Sequence, residues 1–384
     1  MKILHLIYTH GIAGAEKYLR HLLPPLKNEN TESHLILVCP PGFEKKLQDY
    51  CADMRECGIP STTLVYSKNG FFAAAKKIAA YTKANDISYL HSHLVNSDIL
   101  AILVKFLYNH KLTLISTKHG YSEYVLKQIT DVNNLGSLKL KAKLKPYYYV
   151  SWLTLKLIPN NFAVSYAMSV LYKKLGFTRK EMPYILHGVN VDAGEPGTAV
   201  GRLAEPQLVI IGRLEAFKGH HYLLQAMPAV IAKYPSSKLL VLGEGSELQN
   251  LQQTVQQLNI ENNVQFMGFQ SNPYPYIQQS DVVIIPSLFE PFGLVFIEAL
   301  ALQKAVVAFE VPAGNEILAH NQTALLVQRS NSEMLAGSII KLLDDKIFRD
   351  NIAKNGFNHY QQNFTTAVMV KNTAEYYAGI VAKS

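Results

Sequence analysis

Along the first half of the chain, short β-branched and leucine-rich runs alternate with amphipathic segments. KILHLIY (2–8), HLILVC (34–39), STTLV (61–65), ISYLHSH (87–93), LTLIST (112–117) and NFAVS (161–165) read as strands. Segments 14–27, 43–57, 70–84 and 96–108 read as helices. A stretch rich in Gly, Ala and Pro, 191–207, then interrupts the pattern and reads as a linker or long loop. The alternation restarts with strands predicted at 208–212, 238–243, 263–268, 281–286, 305–309 and 324–327. Helices are predicted at about 219–232, 246–257, 293–302 and 331–343, and through most of the last fifty residues. Strands that are apolar almost throughout, each followed by a helix, imply parallel sheets covered on both faces. The expected fold class is therefore α/β, with two Rossmann-like doubly wound domains facing across a cleft. Ligands bind such sheets outside the carboxyl ends of the strands. The predicted domains are 1–195 and 196–365, with 366–384 set apart as a C-terminal helix able to return to the first domain. No internal sequence repeat or low-complexity tract is visible.

Length and composition agree with this division. A chain of 384 residues exceeds what one core usually serves, and 48% apolar against 17% charged residues supports two packed cores rather than disorder. Three cysteines with no C-x-x-C spacing read as free thiols of a reducing compartment. The N-terminus reads as a first strand rather than a signal peptide. No run of apolar residues is long enough to span a membrane. A cytoplasmic location is expected.

Charge adds a second feature. The net charge of +8 divides into +10 over residues 1–195 and −2 over the remainder. Between Asp131 and Glu181 there is no acid and there are nine Lys or Arg. Within this stretch, 136–159 combines Lys139, Lys141, Lys143 and Lys145 with Tyr148 and the only tryptophan, Trp152. Lysines beside interfacial aromatics suit an anionic lipid surface or acceptor, so peripheral contact with the cytoplasmic membrane face is expected. The plainer alternative is a helix packed on the first domain with a solvated lysine flank. No nucleic-acid signature accompanies the segment, and nucleic acid is not expected as a partner.

Candidate chemistry concentrates in the second half. VIIGRLEAFKG (209–219) is a strand, a glycine turn and a loop carrying Arg213 and Lys218, a planar fork and a point charge suited to phosphate. Gly212 would let backbone come close to a ligand. VLGEGSEL (241–248) repeats the strand–glycine–helix junction with Gly243 and Gly245, which could bear a flat ring or a phosphate. SLFEPFGLVFIEAL (287–300) places Glu290 before a proline and Glu298 eight residues on, in an apolar run. A carboxylate buried there costs several kcal/mol unless it is paired or hydrogen-bonded. The amides of Gly293, Leu294 and Val295 at the start of the following helix form an anion site. Glu298 is placed to accept hydrogen bonds from vicinal hydroxyls such as those of a ribose. His91 and His93 are assigned to opposite sides of their strand, so no shared metal is expected. No D-x-D motif occurs.

GR…KG, then GEG, then EPFGLVFIEA with its E-x7-E spacing, resembles the retaining glycosyltransferases of family 4, which have the GT-B fold. TKHG (117–120), IAGAEKYL (12–19) and PYILHGVNVD (183–192) extend the resemblance over nearly the whole chain. The resemblance implies sugar transfer from a nucleotide-diphosphate sugar, UDP favoured over GDP, to a lipid-linked or cell-surface glycan acceptor. It implies no cofactor and no obligatory metal. By the same resemblance, Arg213 and Lys218 would bind the diphosphate, Glu298 the ribose and Glu290 the transferred sugar. His119 would hydrogen-bond that sugar near the developing oxocarbenium ion. Gly14, Gly212, Gly243, Gly245, Phe292, Gly293, Leu294 and Val295 would complete the donor pocket. The chain departs from the family pattern at Ala13, His187, Gln303, Ala305 and around Gly314. Two alternatives remain: a sugar-nucleotide epimerase on the same fold, and a catalytically silent nucleotide-sugar-binding partner.

Overall fold

The computed structural model describes residues 1–66, 70–120, 145–191 and 202–382. They form two compact units: residues 1–188 with 366–384, and 189–365.

The first unit holds a six-stranded sheet made of β1 (Lys2–Tyr8), β2 (Glu32–Cys39), β3 (Ser61–Val65), β4 (Tyr89–His93), β5 (Thr113–Lys118) and β6 (Asn160–Ala163). Its order is β3-β2-β1-β4-β5-β6, and every pairing is parallel. The sheet is covered on both faces. Leu4, Leu6, Ile36 and Val38 pack with Ala75, Ile78 and Leu100 on one side. Ile3, Ile7, Leu35 and Leu37 pack with Leu19, Leu22 and Met54 on the other. Alternate residues of one strand thus serve opposite cores, which is why these strands read as unbroken apolar runs. The helix Thr366–Val381 joins the second of these cores through Met369, Val370, Tyr377 and Ile380.

The second unit repeats the plan with β7 (Gln207–Ile211), β8 (Lys238–Leu242), β9 (Val264–Gly268), β10 (Val282–Ile285), β11 (Ala305–Phe309) and β12 (Leu325–Val327). Its parallel order, β12-β11-β10-β7-β8-β9, is that of the first sheet renumbered. The sequence shows no repeat, yet the topology is duplicated. In each sheet the winding reverses once, between β1 and β4 and between β7 and β10. Doubly wound sheets take ligands at such a reversal, outside the carboxyl ends of the strands.

One buried polar cluster fixes the end of β5. Asp98, on the helix Val95–Leu103, has its Oδ2 2.5 Å from the Lys118 ammonium. Its Oδ1 accepts hydrogen bonds from the hydroxyls of Ser92 and Ser116, each at 2.6 Å. Asp98 and Lys118 are both buried, so the pair is tolerable only because these donors satisfy the carboxylate. Asp98→Ala strands the ammonium next to His119. It is expected to lower stability by about 3–5 kcal/mol, read as a shift in the urea midpoint.

Candidate active site

Gly212 and Arg213 follow β7, and a single turn, Ala216–Lys218, brings Lys218 back toward the strand end. After β10 the chain runs through Ser287 and Glu290 to Gly293, which caps the helix Leu294–Ala301. The two loops meet at the point where the second sheet reverses. Lys218 Nζ lies 2.5 Å from Glu290 Oε1, and the Ser287 hydroxyl donates to the same oxygen at 2.8 Å. The Lys218 and Glu290 side chains are 17% and 7% exposed, so the pair is largely withdrawn from water. The two residues, expected to meet the diphosphate and the transferred sugar, are ion-paired to each other. Arg213 is exposed, its guanidinium carbon 5.5 Å from the centre of the Phe217 ring.

Glycine at 219 is a steric requirement. Its φ of +71° lies in the left-handed region, and a Cβ would overlap the carbonyl oxygen of Pro286. That contact presses the Lys218 loop against the end of β10. Gly243 and Gly245 have a similar cause. A Cβ on Gly243 would overlap the Gly212 carbonyl oxygen, and one on Gly245 would overlap that of Leu214. The G-x-G therefore lets the loop after β8 lie directly on the loop after β7. Leu214 N–H donates to the Glu244 carbonyl at 2.9 Å, and Glu247 N–H to that of Leu214 at 2.9 Å.

Glu298 is buried, in the second turn of the helix Leu294–Ala301. Leu294 and Val295 supply the helix's first amides, whose positive dipole end faces the loop that carries Glu290. Phe292 is buried, with its ring 6.4 Å from that of Phe364, so what it can offer a ligand is its backbone. Gly14 is exposed at the start of the helix Gly14–Leu26, just after Ala13, whose N–H donates to the Glu16 carboxylate at 2.8 Å.

In the first unit His119 follows β5 and is half-buried. It belongs to a histidine cluster that the sequence reading missed. His93 Nδ1 lies 2.9 Å from His119 Nε2, and His5 Nδ1 lies 3.1 Å from His93 Nε2. His91 stacks on His93 with ring centres 4.3 Å apart. The Tyr377 and Thr117 hydroxyls hold its Nδ1 and Nε2, each at 2.7 Å. The assignment of His91 and His93 to opposite sides is incorrect, because residues two apart in a strand share a face. The H-x-H spacing was the available signal. His5 stands opposite His91 in the β1–β4 register, which places the third ring beside them. His187 stacks on Tyr18 at 4.4 Å and lies 5.5 Å from His119 between ring centres. Burial holds His5 and His119 down at about 3, and His91, His93 and His187 well below the usual 6.5, so all five rings are neutral at pH 7. Nitrogens of His5, His91 and His93 lie within 4.8 Å of one another, the spacing a metal ion would need. The hydrogen bonds above occupy both nitrogens of His91 and of His93.

Lys139, Lys141 and Lys143 lie outside the described residues, and Lys145 begins the helix Lys145–Leu157. Tyr148 turns inward, stacking on Phe177 at 4.9 Å and donating to the Gly176 carbonyl at 3.2 Å. It is half-buried, so part of its ring is used in packing within the first unit. Tyr149 and Leu153, four apart and therefore on one helix face, are 59% and 48% exposed. Trp152 is half-buried under the Lys156 ammonium, which sits 4.0 Å from the ring centre.

Residues 201–359 match the family of glycosyl transferases group 1. A 4-alpha-N-acetylgalactosaminyltransferase of Campylobacter jejuni, acting on N-acetylgalactosamine-N,N'-diacetylbacillosaminyl-diphospho-undecaprenol, is 27% identical over 346 residues. That alignment covers 89% of this chain and 90% of the relative. The second unit is thus similar to the group 1 glycosyl transferases, and the Campylobacter alignment carries the likeness along nearly the whole chain. An uncharacterized glycosyltransferase of Methanocaldococcus jannaschii is 31% identical over 175 residues, and the match spans less than half of that protein, 45%. In fold, the crystal structure of Anabaena Alr3699/HepE with UDP and glucose superposes with a TM-score of 0.79, at 20% identity. It covers 99% of this chain and 100% of its own. Together with the two parallel six-stranded sheets, that likeness makes the fold GT-B. The family match coincides with the second unit, where Lys218, Glu290 and Glu298 lie.

Proposed function

We propose that this protein transfers a sugar, with retention at the anomeric carbon, from a nucleotide-diphosphate sugar to a lipid-linked or surface-glycan acceptor. UDP is favoured as the nucleotide, in keeping with the UDP held by the Anabaena structure. The undecaprenyl-linked acceptor of the Campylobacter relative supports a lipid-linked one. The single observation that carries the reading is the Lys218–Glu290 pair at the reversal point of the second sheet, with a helix N-terminus directly after it.

In this reading the second unit binds the donor and the first the acceptor. Arg213, Lys218 and the amides of Gly293, Leu294 and Val295 receive the diphosphate and stabilise the charge that develops as it leaves. Glu290 orients both the Lys218 ammonium and a hydroxyl of the transferred sugar. Glu298 accepts hydrogen bonds from the ribose. His119, being neutral, meets the sugar without opposing the positive charge on the anomeric carbon. The acceptor hydroxyl attacks from the face the diphosphate leaves, and a phosphate oxygen takes its proton. A panel of UDP- and GDP-sugars in thermal shift, followed by turnover with and without an acceptor lipid extract, tests the proposal. A stabilising UDP-sugar that is consumed only with acceptor is the expected result. Binding without transfer would make the chain a silent partner, and isomerisation of the donor without acceptor would make it an epimerase.

No described helix is long and apolar enough to cross a membrane. Peripheral contact is assigned to the basic segment and to the exposed face of Tyr149 and Leu153. Replacing Lys139, Lys141, Lys143 and Lys145 with Gln is expected to release the protein from anionic vesicles in a flotation assay. Each lysine near such a surface contributes about 1 kcal/mol. Unchanged flotation would remove the membrane from the proposal.

A further inference from the structure

A row of aromatic rings crosses the carboxyl edge of the first sheet. Tyr8 ends β1, and its ring centre lies 5.3 Å from that of His10 and 5.5 Å from that of Tyr66, which follows β3. His10 continues to Phe43, beyond β2, at 5.3 Å, and Tyr66 to Phe71 at 5.0 Å. The row runs Phe43–His10–Tyr8–Tyr66–Phe71, with neighbouring planes inclined at 69° to 87°, edge to face. Since β1 is one of the two strands between which the winding reverses, the row lies beside that reversal.

Covering the cores explains only part of the row. Tyr8, Tyr66 and Phe71 pack against the core on one face of the sheet, and Phe43 against the core on the other. His10 joins the two groups. It is exposed and belongs to neither core, so burial does not account for it. Ile12, Val65 and Phe72, close to these rings along the chain, are 38%, 41% and 61% exposed. Apolar groups left exposed together at one sheet edge mark a binding surface. There is room for a ligand beside it. A Cβ on Gly11, next to His10, or on Gly42, next to Phe43, would meet no atom within 4 Å outside its chain neighbours.

The chemistry of the surface selects its occupant. A pyranose presents a face of C–H groups with partial positive charge, which suits the negative π face of an aromatic ring. Its rim carries hydroxyls. The row combines rings with the polar atoms of Tyr8, His10 and Tyr66, and such an apolar lining with a few polar groups is what small-molecule sites use. A polyprenyl tail has nothing to offer those polar atoms. We propose that this row is the subsite for the acceptor's glycan, with successive pyranose rings of an oligosaccharide lying along it. Its role in an acceptor site rests on the function proposed above; its affinity for oligosaccharide does not. A row several rings long makes that affinity depend on length, because a single sugar meets one ring and a longer chain meets several.

The test is saturation-transfer difference NMR on the full chain, irradiating its aromatic protons. The probes are glucose and N-acetylglucosamine, each with its β-1,4-linked oligomers of up to four units, and farnesol as a lipid. In at least one sugar series, saturation should reach the C–H protons, with affinity rising from the single sugar to the tetramer. His10→Ala should weaken tetramer binding about tenfold. His10→Phe keeps a ring in place and should retain it. Affinity that does not rise with length overturns the proposal, as does a tetramer that His10→Ala binds as tightly as the wild type. Farnesol binding in place of every oligosaccharide would make the row a lipid groove, and no binding of any probe would make it a cover for the two cores; either result overturns the proposal. If His10→Ala does not fold, the wild-type length series and His10→Phe decide. Ring-dependent oligosaccharide binding in a chain that binds no donor sugar would defeat the transfer reading alone. Acceptor-dependent turnover with tetramer binding indifferent to His10 would defeat the row alone.

Discussion

Lys218→Ala is expected to reduce sugar transfer by about 10²–10³-fold while the chain stays folded. The Lys218 ammonium is held at the reversal point of the second sheet, 2.5 Å from a carboxylate that is itself largely buried. Its removal acts twice. The leaving diphosphate loses a positive charge fixed in place before reaction, which is the type of interaction that lowers a barrier rather than improving ground-state binding. Glu290 then keeps the Ser287 hydroxyl as a donor but no longer has its partner charge. The loss should therefore appear in kcat. Glu298→Ala should reduce transfer by orders of magnitude as well, but chiefly through the KM for the donor. A ribose contact is made equally in the ground state and the transition state. Steady-state kinetics over a range of donor concentrations separates the two, with circular dichroism as the check on folding. Wild-type-like turnover in both variants would refute this site.

Most of the architecture is legible in the sequence because both sheets are parallel and doubly covered. Each strand is then a compact apolar run, as in VVII of β10, where all four residues are buried. The E-x7-E segment is legible for a related reason. Two acids and a glycine at a strand–loop–helix junction are local, and their chemistry does not depend on what folds against them. What escaped is long-range. Lys218 and Glu290 are 72 residues apart, and nothing in either loop announces their ion pair. Tyr377 reaches His91 across 286 residues, because the C-terminal helix belongs to the first unit. Short helices such as Tyr274–Gln279 and Pro312–Ile317 escaped too, since one and a half turns carry no measurable period. The histidine cluster was missed partly through a misread strand period and partly because His5, alone among aliphatic residues, gives no sign of its neighbours.

That cluster should make the first unit acid-labile. In the unfolded chain each histidine takes up a proton as pH falls through 6.5, whereas in the fold His5 and His119 resist until about 3 and His91, His93 and His187 remain neutral well below 6.5. Over that window the unfolded state binds more protons, so stability falls as pH falls. The loss sets in about one unit above 6.5 and continues toward the folded values. At one unit below 6.5 each such group costs about 1.4 kcal/mol, and five together about 7 kcal/mol. A domain holds about 5–15 kcal/mol in all, so the loss is of the same order as the whole. Glu16 acts in the opposite sense, since burial raises its carboxyl, but it is one group against five. Urea denaturation followed at pH 7.5, 6.5 and 5.5 should show a midpoint that falls over the first step, by the equivalent of about 2 kcal/mol for the five groups, and more steeply over the second, by about 5 kcal/mol. His187→Asn removes one of the five and should reduce the loss over the second step by about 1 kcal/mol. A midpoint that does not move between pH 7.5 and 5.5 would mean that these imidazoles are not held neutral by the fold.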